Sequence, residues 1–151
     1  MRKSYALLWC SIMILGLIAT GCKDKVKPVS ERIAKAWTAE SVKHGATVVY
    51  TRGGSGNIEA AYSGFRLTLT NSNGTKTATL VDVDGKTFTG NWDLEGDTKL
   101  VLSNLTPPPT GSGGKIEFTI SGLEDAKVVL TRITASPKTG GTINEYTLTN
   151  P

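Results

Sequence analysis

The chain is poor in the residues that do chemistry. It holds one histidine, His44, and two cysteines, Cys10 and Cys22, among 151 residues. A lone histidine cannot by itself build a nucleophile–base triad or a multi-residue metal site. His44 stands beside Gly45 and reads as an exposed turn residue. Carboxylates are present without a catalytic pattern. Asp82, Asp84 and Gly85 sketch a D-x-D-G fragment of a calcium loop, but the flanking helix and the distal glutamate of such a loop are missing, and Asp84-Gly85 reads better as a type I′ hairpin turn. Glu124-Asp125 sits in a turn, with nothing to set a second carboxyl across a cleft as glycoside hydrolysis requires. The glycines of Gly53-Gly54-Ser55-Gly56 open no helix, so they make no phosphate loop. No catalytic residue, metal ligand or cofactor site is expected, and the chain reads as a non-enzyme.

Long apolar runs are equally scarce. The one such run, from Ala6 to Ile18, is shorter than the roughly 20 residues that a membrane span needs. Positive charge is modest and scattered, 17 Lys and Arg against 13 Asp and Glu. Its one cluster is Lys23, Lys25 and Lys27. That excludes a nucleic-acid footprint, which needs Lys and Arg gathered on one face.

What the chain does have begins at its first residues. Arg2 and Lys3 precede the apolar run, and the small residues Ala19, Thr20 and Gly21 follow it, ending at Cys22. A basic start, a short apolar stretch and small residues before a cut make a secretory signal. A cysteine directly after the small residues resembles the lipobox of bacterial lipoproteins. That resemblance implies cleavage before Cys22 and a diacylglycerol on its sulfur. Residues 1–21 are then a signal peptide, 22–29 a lipidated tether and 30–151 the working domain. Without residues 1–21, which contain Arg2 and Lys3, 130 residues remain with 15 basic and 13 acidic side chains. That is one domain, large enough for a core without disulfides. Lys23-Asp24-Lys25 is similar to the charged start of lipoproteins from Bacteroidetes-type bacteria, which implies an outer-membrane site in the cell envelope.

Ser30 to Trp37 reads as a short helix with Ser30 as its N-cap and Ile33, Ala36 and Trp37 on one face. The period then changes to two. Phe65, Leu67 and Leu69 alternate with polar residues, as do Phe88, Gly90, Trp92 and Leu94. Leu100 and Leu102, Ile116 to Ile120, Val128 with Leu130, and Tyr146 with Leu148 repeat the pattern. This is the signature of antiparallel strands with one apolar and one wet face. Hairpin signals stand at Asn71–Gly74, Asp84-Gly85 and Glu95–Asp97. Two longer connections are Arg52–Asn57, glycine-rich and flexible, and Thr106–Gly114, rich in proline and glycine. Eight to ten short strands joined mostly by tight turns favour an all-β meander, closed as a barrel or flattened toward a sandwich.

Thr89 to Leu102, with Gly90-Asn91-Trp92 before a turn and Leu100-Val101-Leu102 after it, resembles the central hairpin of the lipocalin-like lipoproteins of Bacteroidetes. Trp37 opening the first strand behind a short helix is similar to the start of lipocalin-type barrels. The resemblance implies an antiparallel up-and-down lipocalin-like β-barrel whose interior takes a small hydrophobic ligand. It also implies a late-strand arginine packed on the first tryptophan, here Arg132 on Trp37. Trp37, Phe65, Leu67, Trp92, Phe118 and Leu130 would form the interior, as pocket lining or as plain core. The expectation is a monomeric, membrane-anchored binding domain. The alternative is a β-sandwich interaction module that binds glycan or an envelope protein through the Arg52–Asn57 and Thr106–Gly114 loops.

Overall fold

The computed structural model describes residues 26–151. The expected signal peptide, residues 1–21, and Cys22 lie outside the described residues. The short helix α1 spans Val29–Ile33. It is shorter than expected. Pro28, with fixed φ and no N–H to satisfy, stands at its N-cap in place of Ser30. Trp37 belongs to the first strand, β1 (Ala36–His44). The Ile33–Trp37 spacing still brings those residues together, because the Trp37 indole Nε1 donates to the Ile33 carbonyl at 2.8 Å.

The following strands are β2 (Thr47–Thr51), β3 (Arg66–Ser72), β4 (Thr75–Val81), β5 (Thr87–Glu95), β6 (Lys99–Thr106), β7 (Ile116–Ser121), β8 (Lys127–Arg132) and β9 (Asn144–Thr149). From β3 to β9 each strand pairs with its sequence neighbour, and β9 returns to β1. All of these pairings are antiparallel. The closure decides between barrel and sandwich. β1 and β3 to β9 form a closed up-and-down barrel of eight strands, and β2 is an extra strand. The order leaves no free edge on those eight except where β1 is shared by two partners.

Turn chemistry sets the register. Asn73 and Gly74, at φ 50° and 82°, make the two-residue loop that joins Ser72 to Thr75, as a type I′ turn demands. Asp84-Gly85 behaves differently. Asp84 is not in the left-handed region; only Gly85 is, at φ 75°. Gly85 N donates to Asp82 O at 2.9 Å and Asp82 N to Lys86 O at 3.0 Å. The connection is therefore a three-residue loop closed by a left-handed glycine, and the type I′ reading is corrected. At Gly90 the β5–β6 register shifts, and a Cβ there would lie 2.4 Å from the Ser103 carbonyl oxygen. Only glycine lets the two backbones approach so closely.

The inward faces carry the alternating residues. Trp37, Leu67, Leu69, Leu100, Leu102, Val128, Leu130 and Leu148 are essentially inaccessible. Each such side chain contributes roughly 1.5–3 kcal/mol of burial. Threonines hold much of the wet face. One end of the barrel, called the foot here, carries α1, whose Arg32 Nη2 donates to Leu123 O at 2.5 Å in the β7–β8 connection. Lys35 Nζ donates to the Asp125 carbonyl in the same connection.

Candidate functional site

The barrel wall is interrupted beside β1. Ala36, Thr38 and Trp37 at the lower end of β1 pair with β3. Ser41 to His44 at its upper end pair with β2 on the same edge. Ala39 and Glu40 lie between, with no strand beside them on that edge. There, β1 also carries a bulge against β9, between Ala39 and Ser41. Bulges re-aim side chains, and here the inward positions change from Trp37 and Ala39 to Val42.

Arg52, the first residue after β2, fills the interruption with polar contacts. Its backbone N donates to Glu40 O at 2.8 Å. Its Nε and Nη2 donate to the Ala39 carbonyl at 3.1 and 2.8 Å. The same Nη2 donates to Thr38 Oγ1 at 2.5 Å. Glu40 Oε2 lies 3.3 Å from Nη1. A cleft of about 360 Å³ opens at this place, lined by Thr38, Ala39, Tyr50, Arg52, Ser63 and Arg66, with Pro151 at its rim. Successive strand residues point to opposite faces, so a cleft touched by both Thr38 and Ala39 lies at the strand edge. Tyr50 sits opposite Val42 in the register and is buried with it. It is the buried aromatic residue of the cleft lining. Arg66 marks the outer end. Its Nη1 donates to the carbonyls of Ser63 and Phe65.

The loop after Arg52 is ordered, which corrects the expectation of a flexible connection. Asn57 Oδ1 accepts from Thr51 N at 2.8 Å, and its Nδ2 donates to Thr51 O and Gly54 O. A 3-10 turn, Ala60–Gly64, then carries Tyr62 into the core. The Thr106–Gly114 loop is tied down as well. Ser112 Oγ donates to Pro109 O and accepts from Gly114 N.

Above the cleft, the upper half of the barrel is filled by aromatic rings. Phe65 stacks on Tyr146 with centroids 5.0 Å apart, and Phe118 and Tyr62 meet Tyr146 edge-on. His44 is not an exposed turn residue. Its Nε2 lies 2.7 Å from the Tyr62 hydroxyl and its ring meets Tyr62 edge-on. Burial holds the His44 pKa below its usual value, against an opposing pull from Glu59. Burial also pushes the Tyr62 and Tyr146 phenols up, so both stay protonated. The fully buried Asn144 donates to Tyr146 Oη and accepts from Thr139 and Thr142 hydroxyls. These tyrosines therefore serve the core and its upper polar seal.

The interior residues expected from the sequence, Trp37, Phe65, Leu67, Trp92, Phe118 and Leu130, all lie in the buried core. None of them lines the wall cleft. Trp92 Nε1 donates to Thr70 O at 2.8 Å, and Lys76 Nζ lies 5.2 Å over its ring. The cation over Trp37 is Lys35, at 5.9 Å, and not Arg132. The reason is topological. Thr38 faces Thr149 and Thr149 faces Lys127, which puts Trp37 at the foot. Arg132 ends β8 five residues above Lys127, roughly 17 Å away at about 3.4 Å per residue. There it is buried, opposite Phe118, with Nε donating to Thr134 O. Strand parity turns Arg132 inward, but only the pairing register reveals its height. Sequence reasoning missed Arg52 and Arg66 as partners in one site; the early end of β2 brings them together.

Among the described residues, no group of three or more His, Cys, Asp or Glu side chains is placed to hold a metal ion. No protein-family model matches the chain, and no curated protein matches it. Among solved structures, the chain is similar to a lipocalin-like protein from Bacteroides uniformis. The two share 17% sequence identity with a TM-score of 0.45, over 80% of this chain and 99% of that one.

Proposed function

We propose that this chain is a membrane-anchored, non-catalytic binding module in the cell envelope, held at the outer membrane through Cys22, whose barrel presents a site for one small molecule. The observation that carries the reading is a closed barrel with a cleft of about 360 Å³ in its wall, beside β1. That volume falls within the usual range of small-molecule sites. The tightly filled aromatic interior favours the wall over the barrel axis as the place of binding. The anchor reading rests on Arg2, Lys3, the apolar run and the small residues before Cys22. A short tether from Cys22 reaches the foot of the barrel first, so the foot faces the membrane and the upper loops face away from it.

Two measurements test this reading. Cells fed an alkyne-bearing fatty acid should label the wild-type chain in the membrane fraction and leave Cys22→Ser unlabelled; a labelled Cys22→Ser chain overturns the anchor. Native mass spectrometry on the full chain, released gently from its own envelope, should show a stoichiometric non-covalent mass beyond that of the acylated chain, lost on collisional activation. A chain carrying no mass beyond its covalent lipid would overturn the binding role.

A further inference from the structure

We infer that the wall cleft recognises a small organic anion, its carboxylate or phosphate oxygens held at Arg66 and its body turned toward Ala39 and Tyr50. The inference deepens the binding-module reading and rests on it.

Four observations converge on this class of ligand. The first is charge. The cleft carries two guanidinium groups, and one carboxylate, Glu40, stands by Arg52 at 3.3 Å. Among the described residues Arg66 has no carboxylate within 4.0 Å. Arg66 is therefore the cleft cation without a close counter-charge, with Glu40 set against Arg52 and Pro151 standing at the rim. Guanidinium forks match the paired oxygens of carboxylate and phosphate.

The second is preorganisation. Arg66 uses Nη1 on the carbonyls of Ser63 and Phe65, which fixes the side chain while its Nε and Nη2 donors make no hydrogen bond within the described residues. Arg52 is fixed by Ala39 O and Thr38 Oγ1. Arg52 has thus spent Nε and Nη2 on the fold and sets Nη1 against Glu40, so the free, already oriented donors are those of Arg66, and less ordering cost falls on binding.

The third is the polarity gradient along the cleft. Its outer, exposed lining is Arg66 and Ser63, and its buried lining is Ala39 and Tyr50, with the Arg52 guanidinium on the Ala39 carbonyl. An inorganic ion would use only the outer lining. A molecule with an anionic head and an apolar or aromatic body uses both.

The fourth is an unmatched polar atom next to the cleft. Thr149 Oγ1 is buried without a hydrogen-bond partner, and Thr149 is the cross-strand neighbour of the cleft residue Thr38. Buried hydroxyls ordinarily have partners, and an exception calls for an explanation, which a ligand oxygen in the cleft would supply.

The anionic oxygens could come from a free organic acid or from a phospholipid headgroup, and soluble probes separate the two. Isothermal titration of the full chain in a non-ionic detergent would use benzoate, its neutral analogue benzamide, and glycerol 3-phosphate as a headgroup without tails. Benzoate should bind one to one, at least tenfold more tightly than benzamide, and Arg66→Gln should bring the two to the same affinity. Arg66→Lys should retain part of the preference, since it keeps the charge and loses the fork. If glycerol 3-phosphate displaces benzoate, the same site serves a headgroup; if benzoate prevails, it serves a free acid. Equal affinity for benzoate and benzamide in the wild-type chain overturns the anionic class. Benzoate binding that survives Arg66→Gln overturns the cleft assignment but leaves the binding module standing. Absence of benzoate binding, together with a chain carrying no mass beyond its covalent lipid in native mass spectrometry, removes both.

Discussion

At the scale of single residues, Arg52 joins the fold to the candidate site. Ala39 O lies where β1 has lost one partner strand and not yet met the other. A buried carbonyl left unpaired costs about 1–3 kcal/mol, and Arg52 supplies the missing donors from its side chain. Arg52→Ala should therefore destabilise the barrel by about 1–3 kcal/mol, read as a lower urea midpoint with unchanged slope. Arg52→Lys should restore only part, because one ammonium cannot reproduce a fork that reaches Ala39 O and Thr38 Oγ1 together. A midpoint unmoved by Arg52→Ala would mean that water serves Ala39 O equally well. None of this was legible in the sequence. Arg52 stood in a glycine-rich stretch and Arg66 on the polar side of an alternating strand, and nothing in their spacing joined them.

At the scale of elements, most strands declared themselves through alternation, from Phe65-x-Leu67-x-Leu69 to Tyr146-x-Leu148. Those strands are regular over their length, so period two survives. Where the pattern was silent, a physical irregularity is present. β1 changes its inward positions at the Glu40 bulge. β2 slips against β1 between Val42 and Lys43 and buries the adjacent Val49 and Tyr50, which breaks alternation. β4 offers only Ala78 and Leu80 to the core.

The upper end shows an element-scale contact of its own. Lys138, on the 3-10 turn Pro137–Thr139 between β8 and β9, lies 2.9 Å from both Asp82 Oδ2 and Asp84 Oδ2 and 4.7 Å over the Phe88 ring. It ties the β8–β9 connection to the β4–β5 loop. Burial alone would raise the Asp84 carboxyl, but hydrogen bonds from Lys138 and from the Lys86 backbone outweigh it and leave the pKa below 3.8. A carboxylate with a depressed folded pKa adds stability above its unfolded value and loses it as the pH falls through the folded one. Lys138→Met should thus cost about 1–2 kcal/mol at pH 6, after discounting for partial exposure. The gap to wild type should narrow at pH 3. Thermal melts of both chains at the two pH values check this, and a gap that stays constant would assign the loss to packing on Phe88 instead.

At the scale of the whole molecule, the meander closes on itself because every connection from β3 to β9 is short enough to return the chain beside the strand it has just left, and because β9 reaches β1. The closure was legible as a preference for neighbouring pairs, whereas the interruption beside β1 was not. It arises because β2 and β3 divide one edge of β1, and such a division depends on pairing between strands rather than on any local pattern. The interruption puts the candidate site on the wall at the level of Thr38, away from the upper loops. The most direct test is a two-dimensional NMR titration of the isotope-labelled full chain with benzoate, following the backbone amides. The account predicts shifts gathered at Ala39, Arg52, Ser63 and Arg66, with the Thr106–Gly114 and Pro137–Gly141 loops unmoved. Shifts confined to those upper loops, or no shifts at all, would contradict it.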